Sequence, residues 1–125
     1  MEGYSVKVID ASRQLTAKEK IAFKDFGLAA QLDDVVTETG LIINVKDYVV
    51  LQVHNENSDN KDYTKFLLID ENGEKYITGS VPFWTTFKDI WDEITLEPDV
   101  EWSLKVYKLD SKQYKGKQFL TCSII

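Results

Sequence analysis

The sequence predicts a mainly β fold with helices, in one domain spanning residues 1–125. Three observations lead there. Runs such as "LIINVKDYVVLQVHNEN", "YTKFLLID" and "KYITGS" are rich in β-branched and aromatic residues and are bounded by turn signals. Two other segments carry a start signal followed by a helical period of apolar residues. The 125 residues, 43% of them hydrophobic, supply a real core but are too few for two ordinary domains.

The elements follow in order. "YSVKVID" alternates and is open between a short strand and an arm. Thr16 followed by Glu19 fits a capping box, and Ala22, Phe23 and Phe26 share a helical face with Ile21 to its side. A helix is expected at roughly 17 to 26, with Gly27 closing it in the left-handed conformation. Residues 28 to 40 are not settled by periodicity. From Leu41 a long, bent strand is expected, then the polar loop "NENSDNKD". "YTKFLLID" is a second strand and "KYITGS" a third, joined through Asn72-Gly73, a tight-hairpin signal. Gly79 marks a bulge or bend. In "VPFWTTFKDIWDEI", Phe83, Phe87, Ile90, Trp91 and Ile94 form one apolar helix stripe, and Pro82 suits the helix start. "EWSLKVYKLD" alternates, with Trp102, Leu104 and Val106 on one face and Ser103, Lys105 and Tyr107 on the other. "QFLTCSII" is the last strand.

Three strands, a helix and two strands are the element order of the OB-fold, a five-stranded Greek-key barrel. The helix lies between the third and fourth barrel strands, and residues 1–40 are expected as an N-terminal arm and helix packed on the barrel. A generic α+β sandwich is the competing architecture. In an OB-fold the ligand face is that of the second and third strands, flanked by the loops after the first and fourth. Here the latter loop is "DSKQYKGK".

The chain carries a net charge of −6, yet its charges are segregated. Residues 105 to 117 hold five lysines and one acid, Asp110, whereas residues 92 to 101 hold five acids and no base. Single-stranded nucleic acid needs cations along its phosphates and flat rings under its bases. The candidate cations are Lys65, Lys75, Lys105, Lys108, Lys112, Lys115 and Lys117. The candidate rings are Tyr63, Tyr76, Tyr107, Tyr114 and Phe119. By alternation Tyr63 and Lys65 share a face, as do Lys105 and Tyr107. Singly, each has a plainer reading: loop lysines are mostly solvated or blunt an edge, and strand tyrosines mostly pack.

Other chemistry finds little support. Cys122 is the only cysteine, which excludes a disulfide scaffold and a Cys-rich zinc site, and it is expected as an inert buried thiol. His54 is the only histidine, and with Glu56 it lacks the rest of a zinc motif. There is no calcium-loop pattern, no phosphate-cradling glycine loop and no nucleophile elbow. No catalytic set, metal or cofactor is therefore expected. "MEGYSVKVID" has no basic segment followed by an apolar run, and no stretch approaches ~18 continuous apolar residues. A cytoplasmic protein with no membrane contact is the expectation.

The stretches "KYITGSVPFWTTFKDIWDEI" and "WSLKVYKLDSKQYKGKQFLTCSII" resemble single-stranded DNA-binding proteins of tailed bacteriophages. "LTAKEKIAFKD" and "VHNENSDNKDYTKFLLID" look like that group too, so the resemblance spans most of the chain. It implies an OB-type barrel that coats single-stranded DNA in phage replication and recombination, in the host cytoplasm and without enzyme activity. It places Lys112, Tyr114, Lys115, Lys117 and Phe119 along the binding surface. Replication proteins are further implied partners, and the oligomeric state stays open, a homodimer among the options. Many proteins with this function end in a flexible acidic tail that recruits partners. The ending "TCSII" reads as strand and departs from that pattern.

Two other functions compete. The net charge and the acidic run from 92 to 101 suit a protein-interaction module that occupies a host factor. OB-folds also bind oligosaccharides, for which an exposed Trp would be expected, with Trp84 as the candidate. If Tyr114 stacks on a base, Tyr114→Ala weakens oligo-dT binding by about 1–3 kcal/mol. An unchanged affinity in a fluorescence titration would return Tyr114 to the solvated loop.

Overall fold

A computed structural model describes residues 3–110 and 116–125 of the chain. In chain order the elements are β1 (Tyr4–Ala11), α1 (Ala17–Lys24), β2 (Ala30–Gln31), α2 (Leu32–Val35), β3 (Leu41–Ile43), β4 (Val45–Asn55), β5 (Asp62–Asp70), β6 (Lys75–Thr78), α3 (Val81–Ile94), β7 (Leu104–Asp110) and β8 (Gln118–Ile124). The mainly β class with few helices is as expected. The strands lie in two sheets that are not closed into a barrel, one ordered β1-β4-β5-β6-β2 and the other β3-β7-β8. The five-stranded Greek-key barrel expected from the element order is not shown by this pairing. The long strand expected from Leu41 is interrupted at Asn44, and its two parts pair in different sheets. The chain divides into two compact units, residues 1–31 with 46–79 and residues 32–45 with 80–125.

In the first unit the β4–β5–β6 meander is extended on both sides. The N-terminal segment is a strand: β1 pairs antiparallel with β4, from Tyr4 opposite Asn55 to Ala11 opposite Val49, with a bulge between Val8 and Asp10. On the far side β2 pairs parallel with β6 through Ala30 and Gln31. One sheet face carries a core of Val49, Leu51, Leu67, Ile69 and Ile77, closed by Leu15 and Phe23. Val6, Val8 and Phe26 pack against it.

Local chemistry explains the connections. The Thr16 side chain accepts from the Glu19 backbone N–H, and the Glu19 carboxylate accepts from that of Thr16. This capping box starts α1 where the sequence puts it. The helix ends earlier than expected, at Lys24, with Asp25 as its cap. Gly27 does not adopt a positive φ, which corrects its expected left-handed closure. In the β5–β6 hairpin, Asp70 accepts through Oδ1 from the N–H groups of Asn72 and Glu74, each at 2.9 Å. Gly73 takes φ 85°, a conformation L side chains rarely adopt. Gly79 also keeps a negative φ and lies just past the end of β6.

In the second unit Ser80 caps α3, its hydroxyl accepting from the Phe83 N–H, and Pro82 occupies the first turn. The helix packs on β8. Its apolar stripe is graded: Phe83 and Phe87 are fully buried, whereas Ile90, Trp91 and Ile94 are half-buried. The rings continue as a ladder, Phe83–Phe87 at 6.1 Å, Phe87–Trp91 at 5.9 Å and Trp91–Trp102 at 6.2 Å edge to face. Gly40, at φ 85°, brings β3 alongside β7. A Cβ at Gly40 would meet Lys105 Cε at 3.0 Å and the Val106 carbonyl at 3.2 Å, so only glycine fits that approach.

The two kinds of contact predict different costs. Leu67 is fully buried, so Leu67→Ala should lose about 2–5 kcal/mol in urea unfolding. Thr16→Ala removes one cap and should lose about 1 kcal/mol.

Candidate nucleic-acid interface

The predicted site residues fall in both units. In the second, antiparallel pairing of β7 with β8 sets Lys105 opposite Ser123, Tyr107 opposite Thr121 and Leu109 opposite Phe119. These residues share one sheet face, because side chains alternate along each strand. The other face holds Leu104, Val106, Leu120 and Cys122, all buried. Lys105, Tyr107 and Phe119 are thus brought together on the partly open face opposite, where Phe119 and Leu109 are exposed, Lys105 and Tyr107 half-buried and Thr121 buried. The methylenes of Lys105 lie against Gly40, and the Tyr107 hydroxyl shares a 2.7 Å hydrogen bond with Ser123 Oγ. Phe119 is 38% exposed. Lys117 is exposed just before β8. Lys108 is on the opposite face by alternation, and its ammonium donates to the Asp33 carbonyl at 2.7 Å. Lys112, Tyr114 and Lys115 lie outside the described residues.

In the first unit Tyr63 and Lys65 share a face of β5, and the Lys65 ammonium stands 5.8 Å from the Tyr63 ring centroid. Lys75 is on the same face, because it pairs with Ile69. It is six residues along the sheet from Tyr63, about 20 Å at the ordinary strand rise. Its ammonium sits 5.4 Å over the Phe23 ring, at the edge of the core. Tyr76 pairs with Leu68 and so points to the opposite face, where its hydroxyl donates to Glu74. Burial, then the Glu74 hydrogen bond, raises the Tyr76 phenol's pKa. Tyr63 and Lys65 therefore form a pair, with Lys75 and Tyr76 apart from it.

The open face of the second unit includes two apolar residues that sequence reasoning did not assign. Leu109 is 46% exposed, and Ile42, opposite Lys105 on β3, is 59% exposed. The alternation of "LKVYKLD" was the signal for Leu109. Nothing local pointed to Ile42, because its strand partner lies 63 positions away. The aromatic ladder also changes the view of the tryptophans: Trp84, Trp91 and Trp102 are all half-buried, and Trp84 lies 5.2 Å from Phe87.

No cluster of three or more metal-ligating side chains forms among the described residues, and none of their helices is long and apolar enough to cross a membrane. Cys122 is buried, and that burial pushes its thiol up to about 12. His54 is the chemically distinct group. Its Nδ1 lies 2.7 Å from Asp62 Oδ1 and its Nε2 lies 2.6 Å from Glu56 Oε1. Both acceptors are carboxylates, so both ring nitrogens donate only in the imidazolium. The Asp62 contact first and the Glu56 contact second raise the His54 pKa. His54 and Lys61 in turn lower that of Glu56.

Comparison of the chain with protein-family models, curated proteins and solved structures returns no match.

The His54 clamp has a definite pH signature. A folded-state pKa above the ordinary 6.5 contributes stability that is complete below about pH 6.5 and is lost as pH rises through the folded value. An NMR titration of the imidazole C–H signals should give a midpoint above 6.5, and Asp62→Asn should lower it. A wild-type midpoint at or below 6.5 would remove the clamp.

Proposed function

We propose that this chain is a sequence-tolerant single-stranded DNA-binding protein of a tailed bacteriophage, built on an OB-type scaffold. It serves phage replication and recombination in the host cytoplasm, alongside replication proteins, and binds rather than catalyses. The observation that carries this reading is the open face of the β7–β8 pair. There a phenol, a phenyl ring and a lysine ammonium stand on one side of a sheet whose other side is core. Rings accept bases of any identity by stacking, and lysines neutralise phosphates without reading sequence. The loop between β7 and β8 adds three lysines and Tyr114 to the same stretch of chain.

Two further features support the scaffold. The meander β4–β5–β6, then α3, then the β7–β8 hairpin follow the OB-fold element order, and an OB barrel is itself partly open. The segment from Leu41 to Asn55 supplies β3 to one sheet and β4 to the other. The acidic charge does not oppose the reading, since the lysines cluster away from the acids in sequence.

Oligo-dT binding followed by Trp and Tyr fluorescence tests it. Binding should weaken with salt, with a logarithmic slope of about −0.7 per phosphate contacted. Phe119→Ala should lose about 1–3 kcal/mol of affinity. No binding at low salt would overturn the proposal. Host proteins that are retained after nuclease treatment and ignore oligonucleotide would favour the host-factor reading instead.

A further inference from the structure

The first unit carries a second ring-and-ammonium surface that includes a residue not assigned above. On β1, Val6 and Val8 pack against the core, so alternation turns Tyr4 to the same sheet face. Its register agrees: Tyr4 is opposite Asn55 as Val6 is opposite Val53. On β5, Leu67 and Ile69 belong to that core, so Tyr63 and Lys65 also turn to this face. The three residues lie where the apolar core gives out. Tyr4 is 37% exposed, and Tyr63 and Lys65 are half-exposed. Burial, and then the neighbouring Tyr63, raise the Tyr4 phenol's pKa.

Two details describe the surroundings of the Lys65 cation. Gly79 lies beside it: a Cβ there would sit 3.6 Å from the ammonium, an ordinary contact distance. Glu56 in the adjoining loop and Asp62 at the start of β5 are held by His54. His54 pairs with Ser5 on β1 and so belongs to the opposite face from Tyr4. Their charge is therefore drawn away from the tyrosines.

We propose that Tyr4, Tyr63 and Lys65 form a second single-stranded DNA contact, in which Tyr4 stacks on a base and Lys65 meets a phosphate. The proposal rests on the DNA-binding reading above and adds to it a binding residue on β1. A ring flanked by an ammonium offers a base a π-face and its phosphate a cation in one place.

The test is fluorescence anisotropy of labelled oligo-dT at several salt concentrations, with melting curves for each variant. Tyr4→Ala should weaken binding about 5- to 150-fold, and Tyr4→Phe, which keeps the ring, should bind within about twofold of wild type. Lys65→Gln should reduce the salt slope by about 0.7. If Tyr4→Ala binds like wild type while Phe119→Ala is weakened, this patch is overturned and the DNA-binding function stands. If wild type does not bind at low salt, the function itself falls. Should Tyr4→Ala melt early, cross-linking of wild type to bromodeoxyuridine oligonucleotide decides. Cross-links at Tyr4 or Tyr63 support the patch, and cross-links confined to residues 105–119 overturn it.

Discussion

Strands β4 and β5 are buried on both faces, and the rest of the first unit is arranged around that constraint. Val49, Leu51 and Leu67 face one side and Val50 and Leu68 the other, and all are buried. Their sequences, "YVVLQV" and "FLLI", are nearly continuous apolar runs, as strands buried on both faces require. Asp47 sits at the start of this pair with only 8% exposure. A buried carboxylate is costly unless it is paired. Ser12 donates to it at 3.0 Å and Arg13 at 3.2 Å, while the Ser12 hydroxyl also accepts from the Tyr48 N–H. Arg13 continues to Glu19 in the capping box, which it holds low, at about 2. One buried charge thus ties the end of β1, the start of β4 and the first turn of α1 together.

The same economy of faces produces the candidate binding surfaces. A strand that commits alternate residues to the core must present the others elsewhere. In β7, Leu104 and Val106 are fully buried, which leaves Lys105 and Tyr107 on the open side. In β5, the alternation that places Leu67 and Ile69 in the core carries Tyr63 and Lys65 out past its edge. The surfaces are by-products of the packing pattern, so their side chains stand on rigid elements rather than on loops. Such placement would limit the entropy lost if a base stacked on them.

Charge is arranged by the same geometry. Of the acids around the β4–β5 loop, Glu56 and Asp62 grip His54, and Lys61 lies 3.3 Å from Glu56. These exposed contacts contribute little to stability. Their consequence is directional, because they hold negative charge on one face of a sheet whose other face carries tyrosines and a lysine. Net charge says nothing of this division.

What the sequence determined by itself is local. Thr16 with Glu19, Pro82 after Ser80 and Asn72-Gly73 act over a few residues, and each started or turned its element where the spacing puts it. Alternation in "EWSLKVYKLD" separated core from open face because side chains in a strand obey a two-residue period. The tertiary structure decided whatever depends on a distant partner. Segment 4–11 becomes a strand only because β4 offers it an edge, and residues 30–31 only because β6 does. Asn44 interrupts a run that reads as one strand, with its side chain accepting from Ser103 Oγ. Tyr76 and Lys75 look like neighbours of Tyr63 in a list of rings and cations, yet register sets one on the other face and the other against Phe23. Tyr4 and His54 gain their settings the same way. Pairing energy is spread over many weak, non-local contacts, and no short stretch of sequence encodes which strand those contacts will find.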